Sequence, residues 1–435
     1  MAQLNITQAT PTMKERLESA LEFSMFQEED ALVAFFPMGS GKPVSTRAMR
    51  IALDAAPGGI TANIDLDGGA NKAGTGSLYD VATVSTVAFG HSRQITRRVI
   101  EACKGEEKAL EDLYKKELAK MVPEFKRMLD KQLQVSTDGV LATLYSSVGS
   151  GVYNAHDSVT PSNTPFGIQL LRQNNDYDVY ASNLVTLRAN GPYRVIQASG
   201  LDQANRRVTV AAASAPNTPA DITGYAANDV MVLQSGINAN LQGLPYHLSN
   251  SASGTWQGIS RANDYVQARG INAGGVALSL DHMRLAINAV IQRKGTGGGS
   301  VDKLQPYTGL PQDHAYANLI DTVMQVNKDG GYNDSADLFF KNMTAMGKTF
   351  RLNTNADPTK IQYLQKNVFG WAIMKKLGFY TDPNGNTAFP VISTTTGVPS
   401  NTMWLQVDFE GQLYCKDPTS LVYIYNLAQP TGYLP

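Results

Sequence analysis

Apolar residues recur along this chain with a period that switches several times, and each switch marks a change of element. Leu17, Leu21 and Met25 are spaced by four, which predicts helix within 13–36. That stretch ends in Phe35-Phe36-Pro37 and then Gly39-Ser40-Gly41, so an amphipathic helix runs into an extended linker. Period two follows. Ile60, Ala62, Ile64 and Leu66 alternate with polar residues, as do Val81, Thr83, Ser85, Val87 and Phe89. Pro57-Gly58-Gly59, Gly68-Gly69, Gly74 and Gly76 break the chain around and between these runs. Two strands joined by a glycine-rich turn make a long hairpin. A lone hairpin is marginally stable, so this one is expected to lie as an arm on another subunit.

The clearest helix is predicted within 99–133. Leu110, Leu113, Tyr114, Leu118, Met121, Val122, Phe125, Met128 and Leu129 form one apolar stripe. Glu111–Lys115 and Asp112–Lys116 add favourable pairs four apart. From 106 to 133 the helix would span about 40 Å, with Pro123 kinking or restarting it. Between 165 and 270 strands are predicted at 179–187, 193–198, 207–212 and 230–233, separated by Asn190-Gly191-Pro192, Gly200 and Pro216 to Pro219. Helical spacing returns at 278–291, with Leu280, Met283, Ile287 and Val290 on one face, and at 313–326. The stretch 360–377 is also assigned to helix, interrupted at Gly370. Residues 402–427 alternate strongly, and Leu421 to Tyr425 reads as a core strand. The chain carries no internal repeat.

Charge adds one hint. Of 435 residues only 17% are charged, with 37 Lys plus Arg against 38 Asp plus Glu. A low-charge surface suits a protein largely covered by neighbouring copies, and the near-zero balance argues against a dedicated nucleic-acid binder. The two cysteines, Cys103 and Cys415, are far apart and form no CxxC pair; they are expected as buried, reduced thiols. The start of the chain is polar and lacks the apolar core of a signal peptide. No run approaches the roughly 18 apolar residues of a membrane span.

Candidate chemistry fails motif by motif. Met38-Gly39-Ser40-Gly41-Lys42 resembles a phosphate loop, but Phe36 stands where a glycine is needed and Pro43 where Ser or Thr is needed. Proline also removes a backbone donor that would cradle phosphate. Gly295 to Ser300 lacks the third glycine of a dinucleotide fingerprint and follows a helix where that motif follows a strand, so it reads as a loop. His91, His156, His247, His282 and His314 pair with no His or Cys at metal-ligand spacing, and no GxSxG elbow occurs. The acidic run Glu28-Glu29-Asp30 reads as a solvated face. No catalytic, cofactor-binding or metal-binding residue is therefore assigned, and no cofactor is expected.

The order of parts (helical arm, glycine-tipped hairpin, long helix, β-rich region, α/β region ending in a strand) resembles the tailed-bacteriophage major capsid protein family with the Hong Kong 97-type (Johnson) fold. Gly243-Leu244-Pro245, Gly254 to Arg261 and Ala227 to Val232 resemble segments common in such proteins. The resemblance implies an α+β capsid fold. It would comprise an N-terminal arm (1–40), an extended loop (41–95), a peripheral domain with spine helix (96–270), an axial domain (271–403) and a return to the peripheral domain (404–435). A β-rich insertion of about 176–235 is expected within the peripheral part. The implied function is non-enzymatic: self-assembly as pentamers and hexamers into the icosahedral head of a tailed phage, enclosing double-stranded DNA without sequence-specific binding. Virion localisation, with assembly in the host bacterial cytoplasm and no membrane partner, follows from the same resemblance. Portal, decoration and separate scaffolding proteins are the implied partners, the last because only about 40 residues precede the hairpin. Some relatives crosslink a loop lysine to a neighbour's asparagine. Lys42 and Lys72 lie in the candidate loop, but both are read as solvated lysines and no crosslink is assigned. An encapsulin-like compartment shell and a tail or baseplate protein are the alternatives.

Overall fold

The computed structural model describes residues 32–36, 42–43, 48–56, 58–61, 74–96, 121, 123–155, 168–196, 199–202, 205–295, 301, 303–326, 344–345, 348–380, 388–392 and 399–430. Three hydrophobic cores organise them. The first is built on a 17-residue strand, Pro399–Cys415. Phe369–Phe379 and Ala388–Ile392 pair with it antiparallel on one side, and Val87–Thr96 pairs with it antiparallel on the other. The helix over 123–133 packs here. Phe125, Leu129 and Leu133 are fully buried and spaced by four, in line with Met121 one turn earlier, so a single stripe meets Trp371, Phe409 and Leu413. The start of the expected spine helix, and the predicted helix before residue 32, lie outside the described residues. Leu32–Phe35 is a helical turn whose Phe36 ring contacts Phe369 at 4.6 Å between centroids.

The second core belongs to a barrel. Val140–Leu144 and Ser146–Gly149 are separated by one residue, Tyr145, yet they occupy opposite ends of one eight-stranded sheet. The first half pairs with Asp229–Leu233 and the second with Val152–Asn154. The sheet therefore closes on itself, by way of Asp176–Tyr180, Tyr193–Val195 and Arg207–Ala212. Closure removes the unpaired edges that small sheets must otherwise protect. Tyr153, Tyr177, Tyr193, Val195, Val208, Val210 and Met231 fill the inside. Strand pairing thus groups 140–233, a longer β unit than the 176–235 read from the sequence. The strand expected at 179–187 ends at Tyr180; Leu184 has a φ of 59°, and the chain turns there.

The third core lies in a mixed sheet ordered Arg269–Asn272, Val422–Tyr425, Ile361–Gln365, Leu304–Thr308 and Arg351–Leu352. Helix Leu280–Lys294 covers it with Met283, Ala286 and Val290. Ser279 caps that helix by accepting from the His282 N–H. Gly295 ends it at a φ of 73°, a left-handed value that suits glycine at a helix stop. A second helix spans Leu310–Val326.

One sequence expectation is overturned. Residues 360–377 are strands, Ile361–Gln365 and Phe369–Phe379, joined by a short 3-10 turn, and not helix. All five residues of Ile361–Gln365 are buried because the strand is central in its sheet and covered on both faces. A strand of that kind loses its alternation and reads like a helix segment. The division expected between 403 and 404 falls inside the continuous strand Pro399–Cys415, and the final strand, Val422–Tyr425, joins the sheet of the 269–365 region.

Candidate interaction surface

A hairpin is present, but its first strand is Ala48–Ala56, paired antiparallel with Leu78–Ser85. The expected strand at 60–66 is not its partner: residues 60 and 61 are irregular, and 62–66 lie outside the described residues. The signal was available, since Met49, Ile51 and Leu53 alternate with polar or small residues just as well. Alternation decides which side faces what. Met49, Leu53, Ala82 and Val84 turn inward and pack on the molecule's own sheet, against residues such as Ala372 and Tyr414. The Thr83 N–H donates to the Gln257 carbonyl at 2.7 Å, and the Tyr265 hydroxyl donates to Asp80 Oδ2 at 2.8 Å. The proximal half of the hairpin is therefore fixed to its own subunit.

The distal end and the outer face of the hairpin are not covered. Leu78, Tyr79 and Val81 are 59%, 68% and 50% exposed, and Ile60 is 54% exposed. The two chains still run together here: Gly59 N–H donates to Thr75 O at 2.7 Å. Gly58 passes so close to Ser77 that a Cβ would stand 2.4 Å from its nitrogen. Adjacent exposed apolar side chains are the mark of a surface that meets a partner.

The Gly254–Arg261 segment supports the hairpin base. Thr255–Trp256 pairs with Ile259–Ser260 across Gln257 and Gly258, whose φ angles of 48° and 86° make the left-handed pair a tight hairpin turn requires. Trp256 is fully buried and donates through Nε1 to His247 Nδ1 at 3.2 Å. Burial, then the charge of Arg261, lowers the His247 pKa to about 3, so the imidazole is neutral. Arg261 is buried with its guanidinium over the Tyr246 ring and donates to the Tyr246 carbonyl.

Two charged centres tie the cores together. Asp130, on the helix over 123–133, accepts from the Leu32 N–H at 3.0 Å, from Asn353 Nδ2 at 2.9 Å and from Asn355 Nδ2 at 2.7 Å. Burial raises its pKa above the usual carboxylate value while these donors pull it back. Glu124, one and a half turns earlier, meets Arg93 and Arg172 at 2.7 Å each and His91 at 3.3 Å. Burial pushes Glu124 up, but the hydrogen bonds from Arg93 and Arg172 outweigh it and hold its pKa low. Glu124 lies in a cleft of about 1680 Å³ between the barrel and the strand Val87–Thr96.

The residues weighed for chemistry do not converge. Lys42 lies in Lys42–Pro43, paired parallel with Ala372 and Ile373, while residues 38–41, Lys72, Cys103 and His156 lie outside the described residues. Cys415 is a buried free thiol, its pKa raised well above the ordinary value by burial. Among the described residues, no three His, Cys, Asp or Glu side chains stand together to hold a metal ion, and no helix is long and apolar enough to cross a membrane. The hairpin and the Gly254–Arg261 segment were singled out in the sequence, whereas Glu124 and Asp130 were not, because lone charged residues on a helix carry no periodic signal.

No protein-family model matches the chain, and no curated protein does. Solved structures do. The capsid asymmetric unit of cyanophage A-1(L) matches with a TM-score of 0.50 at 13% identity, over 89% of this chain and 90% of that one. A capsid chain of a native GTA particle matches at 0.45 and 10%, covering 92% and 91%. A Microbacterium phage Oxtober96 chain matches at 0.44 and 9%, covering 91% and 90%. The fold of this chain is that of a phage capsid protein, an α+β architecture rich in sheet.

Proposed function

We propose that this chain is the major capsid protein of a tailed double-stranded DNA phage, self-assembling into the icosahedral head that encloses the genome. The observation that carries the reading is the likeness to the cyanophage A-1(L) capsid chain over nine-tenths of both chains, with neither left over as an unrelated domain. The exposed apolar distal hairpin supports it, since a shell subunit needs a surface that pays off only against a neighbour. In this reading the Ala48–Ser85 hairpin is the extended loop lying on the next subunit, and the helix over 123–133 is the end of the spine. The 369–379 and 399–415 strands form the peripheral sheet. Residues 269–365 with the returning strand Val422–Tyr425 form the axial unit around five-fold and quasi-six-fold axes, and 140–233 is the insertion. The protein acts by association without chemistry, in the virion, with DNA held by enclosure. Portal, scaffolding and decoration proteins are its further partners, and the host bacterial cytoplasm is where shells form.

Negative-stain electron microscopy with sedimentation of the purified protein tests this. Closed shells or rings of five and six are expected. Tubes of fixed narrow bore would replace the reading with a tail protein, and a monomer that stays monomeric beside its phage's scaffolding protein would overturn it. Tyr79→Ser with Val81→Ser should leave the fold intact by circular dichroism and suppress particle formation. Each apolar side chain contributes about 1.5–3 kcal/mol when buried on a partner, repeated at every contact of the shell.

A further inference from the structure

The barrel joins the rest of the chain at two crossings, 136–139 going in and 234–240 coming out. The crossings are tied to each other. Asn238 N–H donates to the Asp138 carbonyl at 3.3 Å, and Asn240 Nδ2 donates to the Ser136 carbonyl at 3.0 Å. Both turn at left-handed residues: Gly139 at a φ of 76° in the first, Ser235 at 59° and Asn238 at 52° in the second. Short irregular crossings at the ends of elements are where one unit turns on another.

Little else holds the barrel in place. Among the described residues no barrel strand pairs with a strand outside it, and its core shares no residue with the first core. The cleft of about 1680 Å³ separates it from Val87–Thr96, and Ser235, Gly236 and Ala239 of the second crossing border that cleft. Beyond the crossings, two polar contacts among the described residues bridge the barrel and the helix over 123–133. Arg172 Nη2 meets Glu124 Oε2 at 2.7 Å, and Lys131 Nζ donates to the Leu171 carbonyl at 2.8 Å.

Both sides of this bridge are stiff. Arg172 is fixed to the barrel interior, because its N–H donates to the hydroxyl of buried Tyr177 at 2.7 Å. Glu124 and Lys131 stand two turns apart, about 10 Å, on a helix anchored by Phe125 and Leu129. Glu124 also holds Arg93 of Val87–Thr96 at 2.7 Å, so one carboxylate reaches both sides of the cleft. The Arg172 and Glu124 side chains are 39% and 27% exposed, so water and salt reach the pair.

We infer that the barrel is a hinged arm, latched to the helix by Arg172–Glu124 and Lys131–Leu171 and turning about the joined crossings when the latch opens. Apolar packing would fix the arm in one position. A partly exposed ion pair is a weaker contact, one that opens and re-forms while both units stay folded. The inference stands independently of the shell reading.

Single-molecule energy transfer in the purified, unassembled full-length protein tests it, with dyes at Val185→Cys on the barrel and Leu285→Cys on the helix Leu280–Lys294, both exposed positions. Cys103→Ser leaves the buried Cys415 as the only other thiol. At low salt a single narrow distance is expected. Arg172→Gln should raise the share of a second distance about fivefold, the worth of one partly exposed ion pair, and adding Lys131→Met should raise it further. Arg172→Lys should keep the single distance. Lys375→Gln, which removes the Lys375–Asp408 pair at 2.6 Å within one sheet, should change nothing. An unchanged distance in the Arg172→Gln, Lys131→Met double variant overturns the inference, as does a broad distribution at low salt in the labelled parent. If a variant lowers the Tm, the labelled parent decides: raising the salt from about 50 mM to about 1 M must bring up the same second distance, and its absence overturns the inference.

Discussion

His247 is a titratable group held where it cannot be charged. The folded protein keeps it neutral down to about pH 3, while the unfolded chain takes up its proton near the ordinary value of 6.5. The folded pKa is depressed, so its contribution to stability is complete above pH 6.5 and is lost as pH falls toward 3, at about 1.4 kcal/mol per pH unit. His91 acts in the same direction, lowered by burial and then by Arg172. Urea unfolding of the unassembled protein at pH 7 and pH 5 should show a loss of about 2 kcal/mol from His247 alone, and His247→Gln should flatten that dependence. Asp130 is the other residue with long reach, because one carboxylate holds the 32–36 turn and the 353–355 loop to the same helix. Asp130→Ala leaves several buried donors without an acceptor and should cost about 3 kcal/mol or more in the same assay. Gly243 is fixed by contact: a Cβ there would stand 2.1 Å from the Val135 carbonyl oxygen, so Gly243→Ala should destabilise where Gly254→Ala, with open space around it, costs only its left-handed backbone. Neither His247 nor Asp130 was legible in the sequence, since nothing in the residues beside them encodes burial by segments over a hundred positions away.

At the scale of elements, the sequence was most readable where one face meets water. Arg207–Ala212 lies where alternation predicted it, and the helices Leu280–Lys294 and Leu310–Val326 lie within a few residues of their expected spans. It was least readable where both faces are covered, as in Ile361–Gln365, whose continuous burial erases the period. The hairpin was recognised as a device while one of its strands was misplaced, because two alternating runs, 49–53 and 60–66, competed for one partner. Pairing with Leu78–Ser85 goes to the run whose apolar side can also reach Ala372 and Tyr414, a tertiary fact. Hydrogen exchange should follow the same division. Amides in the Ala48–Leu53 half are expected to be protected, and those at 58–61 and 74–77 are expected to exchange fast.

Across the whole molecule, the barrel stands apart from the other two cores. Its ends meet: Asn238 N–H donates to the Asp138 carbonyl, and the Asn240 side chain donates to the carbonyls of Gln132 and Ser136. With a closed sheet and its own interior, residues 136–239 expressed alone should unfold in a single cooperative transition; a broad, non-cooperative melt would show that the barrel borrows its order from the rest. Sequence reading placed β structure here but began it late, because strands as short as Val152–Asn154 are too brief to show a period.

The joined ends also bear on how such a protein can change over generations. A chain that leaves and re-enters its scaffold at one point presents that scaffold with the same two attachment residues whatever lies between them. Lengthening, trimming or replacing the barrel then alters what the barrel displays while the packing of the remaining two cores is left as it was. Selection can act on the one with little penalty from the other, and the same junction offers a place to graft a foreign domain.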